Sequence, residues 1–129
     1  MIGLDTNILV RYLAQDEPRQ AARATRLIEG ELSDREPGYI SLVVLVETCW
    51  VLKRIYGATP AEQRSTVRGL LDARQLVVES RVAVGRAIDA AVAGDFADAL
   101  ISELAREAGC IRTVTFDRRA AKVGMTVIA

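Results

Sequence analysis

Four carboxylates stand in apolar surroundings. Asp5 ends the run Ile2-Gly3-Leu4, and Glu47 is embedded in Leu42-Val43-Val44-Leu45-Val46-Glu47-Thr48-Cys49-Trp50-Val51-Leu52. Asp98 lies in Phe96-Ala97-Asp98-Ala99-Leu100-Ile101, and Asp117 follows Val114-Thr115-Phe116. An acid among aliphatic residues is rarely buried without a partner, so Glu47 in particular calls for one. The other acids, Glu103 and Glu107 among them, fall on polar helix faces or in turns, apart from Asp95, which stands close to Asp98. The chain contains no histidine, which excludes His-based nucleophile triads, general bases and metal sites. A metal bound here must be a hard ion held by oxygen, Mg²⁺ or Mn²⁺.

These acids are positioned by an alternation of short apolar runs and helical segments. Met1–Leu4 reads as a strand, and Asn7–Ala14 carries Ile8, Leu9, Tyr12 and Leu13 at helical spacing. Pro18 opens a helix through about Glu31. Tyr39–Ile40 is a brief strand after Pro37-Gly38, and Ser41 caps a helix from Leu42 to Tyr56 that Gly57 closes. Thr59-Pro60-Ala61-Glu62 is a capping box with proline at the first helical position. Gln75–Glu79 reads as a strand, Ser80 caps a helix through about Ala93, and Asp95 caps another to about Glu107. Arg112–Phe116 and Met125–Ile128 are the last strands, flanking a short helix near Arg118–Lys122. Strands separated by helices imply parallel pairing, so an α/β sandwich is expected.

In a parallel sheet the carboxyl ends of the strands share one edge, where ligands bind. Asp5 and Asp117 follow strands, while Asp95 and Asp98, three apart, share a helical face. Four or five carboxylates can therefore converge. Taken singly, Asp5 and Asp117 also read as helix caps and Asp98 as a first-turn acid. Four charges about 6 Å apart repel by about 3 kcal/mol per pair at an effective dielectric near 20. The sum, roughly 17 kcal/mol, exceeds a typical domain stability of about 5–15 kcal/mol. A divalent ion is the expected remedy, and the ion-free site is expected to be softer than the filled one.

In order and interval, these residues resemble the PIN-domain ribonucleases, most closely the VapC-type toxins of bacterial toxin–antitoxin pairs. Gly3-Leu4-Asp5-Thr6-Asn7-Ile8-Leu9-Val10-Arg11 looks like the N-terminal motif, and Ser41–Leu52 like the helix carrying its glutamate. Asp95-Phe96-Ala97-Asp98-Ala99-Leu100-Ile101 is similar to the third motif and Thr115-Phe116-Asp117 to the fourth. Either Asp95 or Asp98 can serve as the third acid; Asp98, inside the helix and before Ala-Leu-Ile, is favoured. The resemblance implies a PIN-like three-layer sandwich, with a central mostly parallel sheet flanked by helices, over a single domain of residues 1–129. It implies an Mg²⁺- or Mn²⁺-dependent endoribonuclease with Asp5, Glu47, Asp98 and Asp117 as catalytic carboxylates. Asp5 and Asp98 are then the principal metal ligands, with Asp117 and Asp95 beside them. Thr6, Asn7 and Thr115 are expected to hydrogen-bond these carboxylates, and Arg11, Arg112, Arg118 and Arg119 are candidates for RNA phosphates. A toxin also implies a cognate antitoxin and a homodimer.

Acids and bases balance at 17 each over 129 residues, so total charge announces no nucleic-acid surface. All the cations except Lys53 and Lys122 are arginine, which suits bidentate phosphate recognition. Half the residues are hydrophobic, enough for a core. Cys49 and Cys110 form no C-x-x-C pair and read as reduced core or near-core thiols of a cytoplasmic protein. No membrane span or signal peptide is evident. The surface around Tyr12, Leu27, Trp50, Val51 and Tyr56 reads mostly as core, with a dimer or antitoxin interface as the other reading. Two rival functions are a catalytically silent PIN-like binding module and a phospho-accepting receiver-like domain. Against the second, Asp5-Thr6-Asn7 lacks the acidic pair such a domain needs.

Overall fold

In the computed structural model, which describes residues 1–129, strand β1 (Ile2–Gly3) leads through Asp5 into helix α1 (Thr6–Ala14). Helix α2 (Pro18–Arg26) starts with proline in its first turn. Glu17 caps it, its carboxylate accepting the Arg19 and Gln20 N–H groups. The α-helix does not continue to Glu31 as expected; it widens into a single π turn at Leu27–Glu31. Strand β2 (Gly38–Ile40) follows, then α3 (Leu42–Tyr56) with the anticipated ends. Ser41 Oγ accepts the Val44 N–H, and Gly57 closes the helix in the left-handed conformation at φ 67°, which a glycine adopts without steric cost.

Helix α4 (Pro60–Asp72) begins with the reciprocal capping box: Thr59 N–H donates to Glu62 at 2.9 Å, and Glu62 N–H donates to Thr59 Oγ1 at 3.1 Å. Then come β3 (Leu76–Val78), α5 (Arg81–Ala90), α6 (Phe96–Glu107) and β4 (Val114–Thr115). A 3₁₀ helix (Arg118–Val123) and β5 (Thr126–Val127) complete the order. Ser80 does not cap α5 with its side chain. Its backbone is left-handed, at φ 52°, whereas a capping hydroxyl is aimed at the first turn from an extended backbone.

All strand pairing is parallel, as expected. One sheet has the order β1-β2-β3, with Ile2 opposite Gly38 and Gly38 opposite Leu76; a second pairs β4 with β5, Val114 opposite Thr126. The chain divides into two compact units, residues 1–58 with 69–79 and residues 59–68 with 80–129. The first unit holds the three-stranded sheet with α1, α2 and α3 and buries Leu9, Ile28, Ile40 and Leu45. A Cβ at Gly38 would stand 2.8 Å from the side-chain ends of both Leu4 and Leu32, so both buried leucines would have to shift to admit one. The second unit holds α5, α6, the 3₁₀ helix and the β4–β5 pair, and it buries Val84, Ala87, Phe96 and Leu100.

Three burial expectations are corrected. Cys49 is buried, but Cys110 is exposed, just past Gly109 and beyond the end of α6 at Glu107. Trp50 and Tyr56 are exposed and Tyr12, Leu27 and Val51 are half-buried, so that surface is not core. Glu103, expected on a solvated face, is buried. It lies seven residues after Phe96 and three after Leu100, on the stripe that faces the core of its unit.

Candidate functional site

In the first unit, the carboxyl ends of three parallel strands deliver Asp5, Ser41 and Glu79. Asp5 caps α1, with Oδ1 accepting the Thr6 N–H at 2.7 Å. Thr6 is buried, and its hydroxyl donates to the Glu47 carboxylate. Glu47 is exposed rather than buried, so the partner its apolar context called for is one hydroxyl with the remainder in water. Asp5, Thr6, Asn7, Arg11, Glu47 and Trp50 line an open groove of about 480 Å³. Trp50 is 58% exposed, with the Arg54 guanidinium 5.9 Å from its ring centroid.

Glu79 was missing from the sequence-based set. Its Oε1 accepts the Leu42 N–H at 2.8 Å, so α3 is capped by Glu79 as well as Ser41. Its position directly after the third parallel strand is the signal that could have marked it. Glu79 also pushes the Tyr39 phenol up from its ordinary pKa, after the larger effect of desolvation.

In the second unit, Asp95 caps α6 by accepting the Asp98 N–H at 3.0 Å, which places Asp98 in the first turn. Asp117 caps the 3₁₀ helix, accepting the Arg119 N–H at 2.9 Å. The Thr115 hydroxyl accepts the Asp117 N–H at 3.0 Å and so fixes the turn. The Arg119 side chain then folds back, Nε to Asp117 Oδ1 and Nη2 to Asp117 Oδ2, each at 3.1 Å. These bonds hold the Asp117 carboxyl below its usual pKa. Asp117 in turn raises the Arg119 pKa, and the charges of Asp98 and Asp95 raise it further.

The cap readings of Asp5 and Asp117 and the first-turn reading of Asp98 are thus realised. The structure joins Asp5, Thr6 and Glu47 in one unit; in the other it links Asp95 with Asp98 and Asp117 with Arg119. Neither unit by itself brings three acids or thiols into a group that could hold a metal ion. Among the arginines, Arg112 and Arg118 are exposed, whereas Arg11 is engaged with Gln20, Asp16 and the Tyr56 hydroxyl. The Tyr56 hydroxyl donates to Asp16 and holds that carboxyl below its ordinary pKa.

The model of the PIN domain matches residues 2–125. The chain belongs to the PIN-domain family. PIN domains are generally nucleases, act on RNA and typically bind divalent metals. No curated protein matches the chain. This PIN domain is mixed α/β, with parallel strands flanked by helices and 61% of its residues helical. Helix starts therefore do most of the positioning: Asp5, Asp95 and Asp117 are all N-caps. Its acidic donors are all oxygen, with no histidine among them, and Asp5 spends one oxygen on a backbone N–H. That donor chemistry suits a hard divalent cation. No helix is long and apolar enough to cross a membrane.

Proposed function

We propose that this PIN domain is a divalent-metal-dependent endoribonuclease, the toxin component of a type II toxin–antitoxin pair, acting as a single domain. The observation that carries the reading is an exposed Glu47 carboxylate, oriented by the buried Thr6 hydroxyl, sharing an open groove with Asp5. A solvent-facing carboxylate held by a buried donor is poised for a ligand, since its orientation no longer depends on water. In this reading Asp5, Glu47, Asp98 and Asp117 are the catalytic carboxylates, and Asp5, Asp95, Asp98 and Asp117 hold the cation. Mg²⁺, or Mn²⁺ in its place, would supply charge neutralisation, acidification of water and stabilisation of the phosphate's developing charge.

The chain's own residues do the rest. Thr6 keeps Glu47 directed and Thr115 fixes the Asp117 turn, while Asn7 lines the groove beside Asp5. Arg112 and Arg118 are exposed cations available to RNA phosphates, with Arg11 and Arg119 as further candidates. A stripe of exposed apolar residues on α3, Val43 at 77%, Val46 at 37% and Trp50 at 58%, supports a protein partner, a second copy or the antitoxin.

The test is cleavage of end-labelled total RNA by the purified chain with Mg²⁺, Mn²⁺ or EDTA, beside an Asp98→Asn variant. Metal-dependent cuts are expected, absent with EDTA and from the variant. A folded chain that neither cuts RNA nor binds Mn²⁺ would overturn the reading in favour of a silent binding module.

A further inference from the structure

We propose that Arg119 is the built-in counter-cation of Asp117, and that a divalent cation must displace its guanidinium before it can take that carboxylate as a ligand. The inference rests on the metal dependence proposed above. The geometry is specific. One guanidinium nitrogen meets each Asp117 oxygen at 3.1 Å, and the Arg119 backbone N–H adds a third bond at 2.9 Å, so both oxygens are engaged. Such a two-point grip matches the planar guanidinium and is beyond the reach of a lysine ammonium. It is also local, because Arg119 follows Asp117 by two residues within the 3₁₀ helix that Asp117 caps.

Two further observations say what the guanidinium does there. Arg118 and Lys122 lie on the same short helix, yet the ion pair to Asp117 is made by Arg119. The Arg119 side chain is 88% exposed, so it can swing into water without disturbing the core. An exposed pair of this kind is weak and salt-screened. Arg119 therefore neutralises Asp117 while the cation is absent and yields that carboxylate when it arrives.

The experiment is calorimetric titration of Mn²⁺ into the full chain after chelator treatment, at low salt, for wild type, Arg119→Ala, Arg119→Lys and Lys122→Ala. Arg119→Ala is expected to bind Mn²⁺ roughly two- to fivefold more tightly, the range an exposed ion pair spans. Arg119→Lys should fall between it and wild type, Lys122→Ala should match wild type, and added NaCl should shrink the difference. Thermal unfolding in EDTA confirms that each variant is folded. Unchanged or weaker binding by Arg119→Ala overturns the inference, as does an equal gain in Lys122→Ala, which would reduce the effect to net charge. A folded wild type that binds no Mn²⁺ overturns the metal dependence itself, an outcome separate from the other two.

Discussion

Thr6 and Glu47 lie 41 positions apart, yet the groove depends on the hydroxyl of one directing the carboxylate of the other. Substituting a group that orients a catalytic or ligating carboxylate costs about 10- to 100-fold in activity or metal affinity. Thr6→Val should therefore lower single-turnover RNA cleavage by at least about tenfold, and Thr6→Ser, which restores the donor, should recover most of it. Equal activity of Thr6→Val and wild type would remove Glu47 orientation from the mechanism. A second titratable group reports on local structure alone. Glu62 is held below its ordinary pKa first by the Thr59 backbone N–H and then by the Thr59 side chain. A carboxyl lowered by folding stabilises the fold above its unfolded pKa, and that contribution is lost as pH falls through the lowered folded value. The Glu62 carboxyl midpoint, followed by NMR, should lie below that of an unperturbed glutamate and rise in Thr59→Ala.

At the scale of elements, two serines precede two helices and carry opposite consequences. Ser41 caps α3 through its hydroxyl from an extended backbone, whereas Ser80 sits left-handed before α5 with no side-chain cap. Loss of a working cap costs about 1 kcal/mol, so Ser41→Ala should lower the urea midpoint accordingly. A left-handed non-glycine residue costs about 1–2 kcal/mol, part of which glycine returns as chain entropy, about 0.5–1 kcal/mol. Ser80→Gly should thus stabilise by about 0.5 kcal/mol, and a loss as large as that of Ser41→Ala would refute the backbone account. The pair also marks what was legible beforehand. Ser41 to Gly57, Thr59 to Glu62 and the cap at Asp95 could be read because cap chemistry is settled within four or five residues. Ser80 could not, since its type permits capping and only its backbone forbids it. Glu103 was within reach, because its spacing from Phe96 and Leu100 was plain while its charge argued for the surface. The four acids stood out by their apolar context. Their partners did not, because Thr6 meets Glu47 only once tertiary structure forms, and Arg119 reaches Asp117 only through the 3₁₀ turn.

For the whole molecule, the balance of 17 acids and 17 bases leaves no net attraction to RNA, so binding must draw on local cations and on the metal. Arg118→Glu should weaken RNA binding and flatten its salt dependence, since each phosphate contact contributes to that slope. Unchanged affinity across a salt titration would place the phosphates elsewhere. The proposed cation should also act as a stabilising ligand. At about a hundred times its dissociation constant a native-state ligand adds about 2.7 kcal/mol, so Mn²⁺ should raise the unfolding midpoint in a concentration-dependent way. EDTA should erase the rise, and Asp98→Asn should show little of it. A midpoint indifferent to Mn²⁺ would detach the acids from metal binding.

The contrast between the two cysteines gives the native chain a single reactive handle. Cys49 is buried and Cys110 is open to solvent. A maleimide dye should consequently attach once per folded chain, at Cys110, and twice only after unfolding, so a fluorescent reporter can be installed without engineering. The same asymmetry means that preparations kept without reductant should accumulate Cys110–Cys110 linked pairs, which a reducing agent dissolves and which must be separated from any genuine association between copies.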